Sequence, residues 1–272
     1  MKGWVSSRGV SNSPDLERVL NLPRRDWETY AESAAALLTQ KLKTPNGTQT
    51  LRPAQAASLI EIHDQRGLLG GQRVGAGKTL TSFLASAVLE SKEPLLLVPA
   101  SLREKTKHEY WEAKKHWKVG YLSIVGYEEL SLEKNKNLLF DLNPDLIVAD
   151  EAHKLKRLES GRTKRVNRYL EAHPDTVFVG LSGTITSKSL LDYWHLVLWA
   201  LREGAPLPLK YPEARDWAWA LDAKVRPGER LSPGALKKFG EPVREGFKNR
   251  LTSTPGVGCS PGRSRNWRRW CP

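Results

Sequence analysis

Between Leu51 and about Arg202, short apolar runs alternate with amphipathic stretches. LLLV (95–98), YLSIV (121–125), DLIVA (145–149) and TVFVGL (176–181) are rich in branched apolar residues and read as strands. The segments after Thr79, after Ser101 and after Ser187 carry apolar residues at helical spacing; in the first, Leu80, Phe83, Leu84, Ala87 and Val88 share one face. Such alternation predicts an α/β fold, a mostly parallel sheet with helices on both faces. Ahead of it, Asp26 to Leu42 reads as a helix with Trp27, Tyr30, Ala34, Leu37 and Leu38 at helical spacing. The turn-rich KTPNGTQT (43–50) reads as a linker. After residue 204 Pro and Gly become frequent and periodicity fades. The expected organisation is an N-terminal extension (1–49), an α/β lobe (50–204), a partly helical appendage (205–256) and a basic tail (257–272).

Composition narrows the class. At 39% hydrophobic and 27% charged residues, the 272-residue chain has the balance of a soluble globular protein, which excludes disorder throughout. Lys plus Arg outnumber Asp plus Glu by 43 to 30, a net charge of +13. That excess favours a polyanionic partner, nucleic acid before membrane; charge that merely keeps the protein in solution would look the same. There is no apolar run long enough to span a bilayer, and the start, MKGWVSSRGVSNSPD, lacks a signal peptide's apolar stretch. The expected location is the cytoplasm or nucleoid. Cys259 and Cys271 stand near the end with no zinc-ligand spacing around them.

The candidate chemistry starts at GGQRVGAGKTL (71–81). A P-loop, G-x-x-x-x-G-K-[ST], wraps phosphates in backbone N–H groups, with Lys reaching the β/γ oxygens and the hydroxyl on magnesium. Gly77, Lys78 and Thr79 match, whereas Gln72 stands where the strict pattern has its first Gly. Gly75 and Gly77 still permit the tight concavity, and the helix that follows aims its N-terminus at an anion. A Gly-rich turn that caps a helix, with Lys78 solvated, would give the same pentapeptide. The second feature is DLIVADEAHKLK (145–156), an apolar strand ending in Asp150 and Glu151. A carboxylate there can hold the magnesium of a nucleotide, and its neighbour can orient the attacking water.

GAGKT followed by DEAH resembles the first motor lobe of superfamily-two helicases and translocases, members of which often lack the first Gly. LRPAQ (51–55) is similar to their adenine-reading element, LLLVPASL (95–102) to the motif that touches the nucleic-acid backbone, and LSGTIT (181–186) to the Ser/Gly/Thr motif. LRPAQ, GYEEL (126–130) and SGTIT together resemble the Swi/Snf-like branch, whose members translocate on duplex DNA. The resemblance covers about residues 50–200 and implies a RecA-like ATP-binding lobe. It implies Mg2+ and ATP as cofactors and nucleic acid, double-stranded DNA, as partner. Gln55 would bond adenine; Gly75, Ala76, Gly77 and Lys78 would cradle the phosphates; Thr79 and Asp150 would hold magnesium, and Glu151 the water. His153 would couple the site to Ser182 and Thr184, and Pro99 and Ser101 would touch nucleic acid. Plain alternatives stay open: a helix-start role for His153, turn hydroxyls for Ser182 and Thr184.

Two basic stretches are further candidates for phosphate contact: 101–119, with Arg103, Lys105, Lys107, Lys114, Lys115 and Lys118, and HKLKRLESGRTKR (153–165). In the first, Leu102, Tyr110 and Trp117 are the expected inward face, and Glu104, Glu109 and Glu112 dilute the charge. The family's motors use a second lobe that supplies an arginine finger, and nothing in 203–272 matches its motif. A separate polypeptide is one expected source of that lobe. The tail, CSPGRSRNWRRWCP, reads either as a frameshifted end or as a natural basic tail. The main expectation is the ATP-binding lobe of a DNA translocase. A non-catalytic nucleotide- or DNA-binding fragment, or another P-loop motor such as a packaging ATPase, are the alternatives.

Overall fold

A computed structural model describes residues 8–23, 26–72, 75–183, 189–222 and 225–239. Five strands carry the lobe: β1 (Leu68–Gly71), β2 (Pro94–Val98), β3 (Ser123–Gly126), β4 (Leu146–Asp150) and β5 (Val177–Ser182). They form one sheet in the order β1-β5-β4-β2-β3, and every neighbouring pair is parallel. Parallel neighbours need crossovers, and helices supply them: α4 (Lys78–Leu89), α5 (Arg103–His116), α6 (Leu138–Leu142) and α7 (Gly161–Ala172). The α/β class expected from the sequence, a parallel sheet with helices on both faces, is the one observed. No described helix is long and apolar enough to cross a membrane.

The side-chain period of two sorts each strand between two cores. Leu96 and Val98, Leu146 and Val148, and Val177, Val179 and Leu181 face α4, α5 and two earlier helices, α2 (Trp27–Leu42) and α3 (Pro53–Gln65). Leu95 and Leu97, Ile147 and Ala149, and Phe178 face α6, α7 and α8 (Leu191–Leu201). β2, β4 and β5 are covered on both sides, which is why their sequences are continuous apolar runs rather than alternating ones. The same parity places Asp150 in the series of Leu146 and Val148, on the side of α4.

A third core joins the ends of the described chain. Val10, Leu16 and Val19, the last two on α1 (Pro14–Leu20), pack with Trp217 and Leu221 of α9 (Tyr211–Leu221) and with Leu236. Arg18 donates to the carbonyls of Glu203, Ala205 and Leu207, and Asp15 accepts the Leu209 N–H. The tail 257–272 lies outside the described residues.

Three sequence expectations change. Tyr30 and Leu37 of α2 are 62% and 38% exposed, and the buried face is Ala34, Ala35, Leu38, Thr39 and Leu42. Thr39 is inside because its hydroxyl accepts the Leu51 N–H. Leu102 is likewise exposed, while Tyr110 and Trp117 are buried as expected. The stretch 43–50 is tied down rather than free: Thr44 N–H donates to the His116 carbonyl, and Trp117 Nε1 donates to Gln49.

Candidate functional site

The carboxyl ends of β1, β5 and β4 meet in register, Gly71 beside Ser182 and Leu181 beside Asp150. Ligand sites of open parallel sheets form at this edge, where loops rise from the strand ends. The loop after β1 delivers Gly75 and Gly77 with φ of +82° and +83°, a left-handed conformation that favours glycine. Gly77 is also the N-cap of α4, so the helix's first free N–H groups open on the same concavity. A side chain at Gly77 would collide with Gln55.

Gln55 is buried and fastens this corner. Its carbonyl oxygen accepts the Arg52 N–H at 2.9 Å, and its NH2 donates to the Gly77 carbonyl at 3.0 Å. One lone pair and one N–H remain for a base edge. The Arg52 guanidinium donates to the Gly75 carbonyl. Gln72, the departure from the strict pattern, is a second fastener. Its N–H donates to the Ser182 carbonyl at 3.1 Å, and its Nε2 donates to Ser58 Oγ at 2.6 Å. The Ser58 hydroxyl gives its proton to the Ala54 carbonyl, which fixes the amide's orientation and leaves Gln72 Oε1 without a partner among the described residues. Neither tie is local in sequence, so the pattern alone gave no sign of them.

Lys78 reaches across to the acid pair. Its Nζ lies 3.4 Å from the Gln72 carbonyl and 3.7 Å from Glu151 Oε1, longer than strong charge-assisted bonds. Glu151 itself sits at φ +57°, an uncommon conformation for a side-chain-bearing residue and a frequent one at functional turns. Its Oε2 is 3.1 Å from His153 Nδ1 and 3.5 Å from Ser182 Oγ, and His153 Nδ1 is 3.1 Å from Ser182 Oγ. Burial pushes the His153 pKa down, with the Glu151 charge opposing. Lys78, Asp150, Glu151, His153 and Ser182 are thus gathered in one place. Thr79 lies on the first turn of α4, half-buried. Thr184 lies outside the described residues.

Asp150 carries a strong electrostatic signature. Burial, and then the adjacent Glu151 charge, push its carboxyl up to about 6, against the pull of Lys78 and of the Glu151 N–H that donates to Oδ1 at 3.1 Å. A divalent cation would remove that conflict, so the donor set fits a magnesium nucleotide, whose metal Thr79 and Asp150 would hold. Because the folded chain binds this proton more tightly than the unfolded chain, its contribution to stability falls as pH rises from about 4 through about 6. Asp150→Asn should therefore stabilise the fold at pH 7 by on the order of 2 kcal/mol after allowance for solvent screening. Near pH 4 the gain should vanish. Urea unfolding at the two pH values checks this, and equal effects at both would overturn it.

The loop after β2 runs through a single 3-10 turn, Ala100–Leu102. Pro99 is buried and Ser101 exposed, so of the two expected nucleic-acid contacts only Ser101 is presented to solvent. The basic stretches differ sharply. On α5, Lys105, Lys107 and Lys115 pair with Glu109, Glu104 and Glu112, and Arg103 pairs with Glu129. In the stretch that follows the acid pair, Lys154, Lys156, Arg157, Arg162 and Lys164 form no salt bridge among the described residues.

No family model matches the chain, and no curated protein does. Among solved structures, the Sulfolobus solfataricus SWI2/SNF2 ATPase core in complex with dsDNA is similar over 76% of this chain, at 16% identity and a TM-score of 0.47. The match spans 44% of that protein's chain, less than half its length.

Proposed function

We propose that this chain binds Mg-ATP at Gly75–Thr79 and Asp150–Glu151 as the nucleotide-binding lobe of an ATP-dependent translocase on duplex DNA. The observation that carries it is the approach of Lys78 to Glu151 at 3.7 Å, which brings the two halves of the sequence signature onto one strand edge. Gly75, Ala76, Gly77 and Lys78 bind the phosphates, and Gln55 offers its remaining N–H and lone pair to the base. The metal, on Thr79 and Asp150, would withdraw charge from the phosphoryl oxygens. Glu151 holds the attacking water, and His153 with Ser182 fixes the Glu151 carboxylate.

Duplex binds through phosphates, on Lys154, Lys156, Arg157, Arg162 and Lys164 with Ser101 nearby in role, rather than on α5, where Lys105, Lys107 and Lys115 pair with glutamates of the same helix. Five phosphate contacts predict a log K versus log salt slope of about −4.5, insensitive to sequence. Replacing Lys154, Arg157 and Lys164 with Ala should flatten the slope by roughly 3. The matching triple substitution of Lys105, Lys107 and Lys115 should leave it nearly unchanged. Fluorescence titrations with two unrelated duplexes across salt concentrations, alongside calorimetry of Mg-ATP binding, test the proposal. Absence of nucleotide binding, or a slope moved by the α5 substitutions, would count against it.

A further inference from the structure

The segment Gly126–Leu130, which leads out of β3, has no part in phosphate or metal binding, yet it touches both sites. Tyr127 is fully buried, and its hydroxyl donates to the Asp150 carbonyl oxygen at 2.7 Å. Glu128 is exposed, and its Oε2 accepts the Ala100 N–H at 2.9 Å. Glu129 braces the same corner by accepting the Gly126 N–H at 3.0 Å and pairing with Arg103 at 3.0 Å. The Tyr127 N–H donates to the Val98 carbonyl, so the segment is anchored on the end of β2.

The peptide unit between Asp150 and Glu151 is planar, and both of its polar ends are held. Tyr127 holds the carbonyl oxygen, and Asp150 Oδ1 holds the N–H. The orientation of that plane sets where the chain enters Glu151, whose φ of +57° is uncommon for a non-glycine residue. A shift of Tyr127 therefore turns the water-holding carboxylate. One residue on, Glu128 holds the backbone of the exposed turn 100–102. The two contacts are one peptide apart, and one end is locked in the core while the other faces solvent.

We infer that Tyr127 and Glu128 are positioning residues that link the exposed turn 100–102 to the Asp150–Glu151 peptide, so that duplex on the turn alters the affinity for nucleotide, and the reverse. The inference rests on the proposed function. Linkage makes the effect reciprocal and measurable without turnover. The experiment measures the Kd of a duplex for the full chain with and without a magnesium-bound, non-hydrolysable ATP analogue. In the wild type the analogue should change that Kd by about fivefold or more. Tyr127→Phe and Glu128→Ala should each reduce the change below about twofold while leaving the Kd of each ligand alone within about twofold. Glu128→Gln keeps a carbonyl acceptor for Ala100 and should retain the wild-type coupling, which a merely structural role would not require. If Tyr127→Phe fails to fold by thermal melting, the two variants of exposed Glu128 decide. A wild type that binds neither ligand overturns the proposed function. A wild type that binds both, uncoupled, or with coupling that survives Glu128→Ala, overturns this inference alone.

Discussion

Lys78→Ala should weaken Mg-ATP binding by at least roughly a hundredfold, because a charge-assisted contact to phosphate contributes about 1.5–3 kcal/mol and one ammonium serves two phosphates. Among the described residues the same ammonium's contacts are long, at 3.4 and 3.7 Å, so little holds it back from a ligand. For the same reason its loss should leave the fold intact, since long, partly solvated ion pairs add about 0–1 kcal/mol. The Asp150 carboxyl loses a cation that pulls its pKa down, so its proton should come off at higher pH in the variant. Calorimetry at pH 7 with Mg-ATP reads the first effect and thermal melting the second. Equal affinity in wild type and variant would remove Lys78, and with it the loop, from the site.

The second large effect concerns rate. The pure 272-residue polypeptide should hydrolyse ATP roughly 10³–10⁵-fold more slowly than a motor whose γ-phosphate charge is met by an arginine. In the proposed site Lys78, Asp150 and Glu151 would address the phosphates, the metal and the water, but the charge that develops on the transferring group needs a further cation. Among the described residues, Arg52 is the arginine that touches the loop, and its guanidinium is committed to the Gly75 carbonyl. Arg263, Arg265, Arg268 and Arg269 lie outside the described residues. Steady-state phosphate release, with and without duplex, is the measurement. Turnover near the typical enzyme value of about 10 per second, abolished by Glu151→Gln, would overturn the expectation.

The pairing of Lys105, Lys107 and Lys115 on α5 was already written in its spacing. Lys105 and Glu109 stand four apart, and Glu104 with Lys107 and Glu112 with Lys115 stand three apart, which places each pair on one helix face. The freedom of Lys154, Lys156, Arg157, Arg162 and Lys164 could not be read that way. Glu159 lies among them in sequence, and whether it pairs with any depends on how the turns around 157–160 fold.

The sequence by itself determined the central strands, because burial on both faces leaves β2, β4 and β5 no polar alternation to keep. It also determined the glycine loop before α4 and the acid pair, because glycine at positive φ and a carboxylate at a strand end are requirements of single positions. Tertiary structure alone decided what depends on distant partners. β1, LLGG, is too short and too glycine-rich to announce a strand, and it is held by its pairing with β5. α2 turned its alanines rather than Tyr30 to the core because Thr39 meets Leu51 there. The grip of Gln72 on Ser58 and of Tyr127 on Asp150 joins residues 14 and 23 positions apart; the packing of α3 on β1 makes the first pair neighbours, and the placing of β3 and β4 on either side of β2 the second. Local propensity acts over a few residues, whereas the order of parallel strands is fixed by packing across the whole sheet.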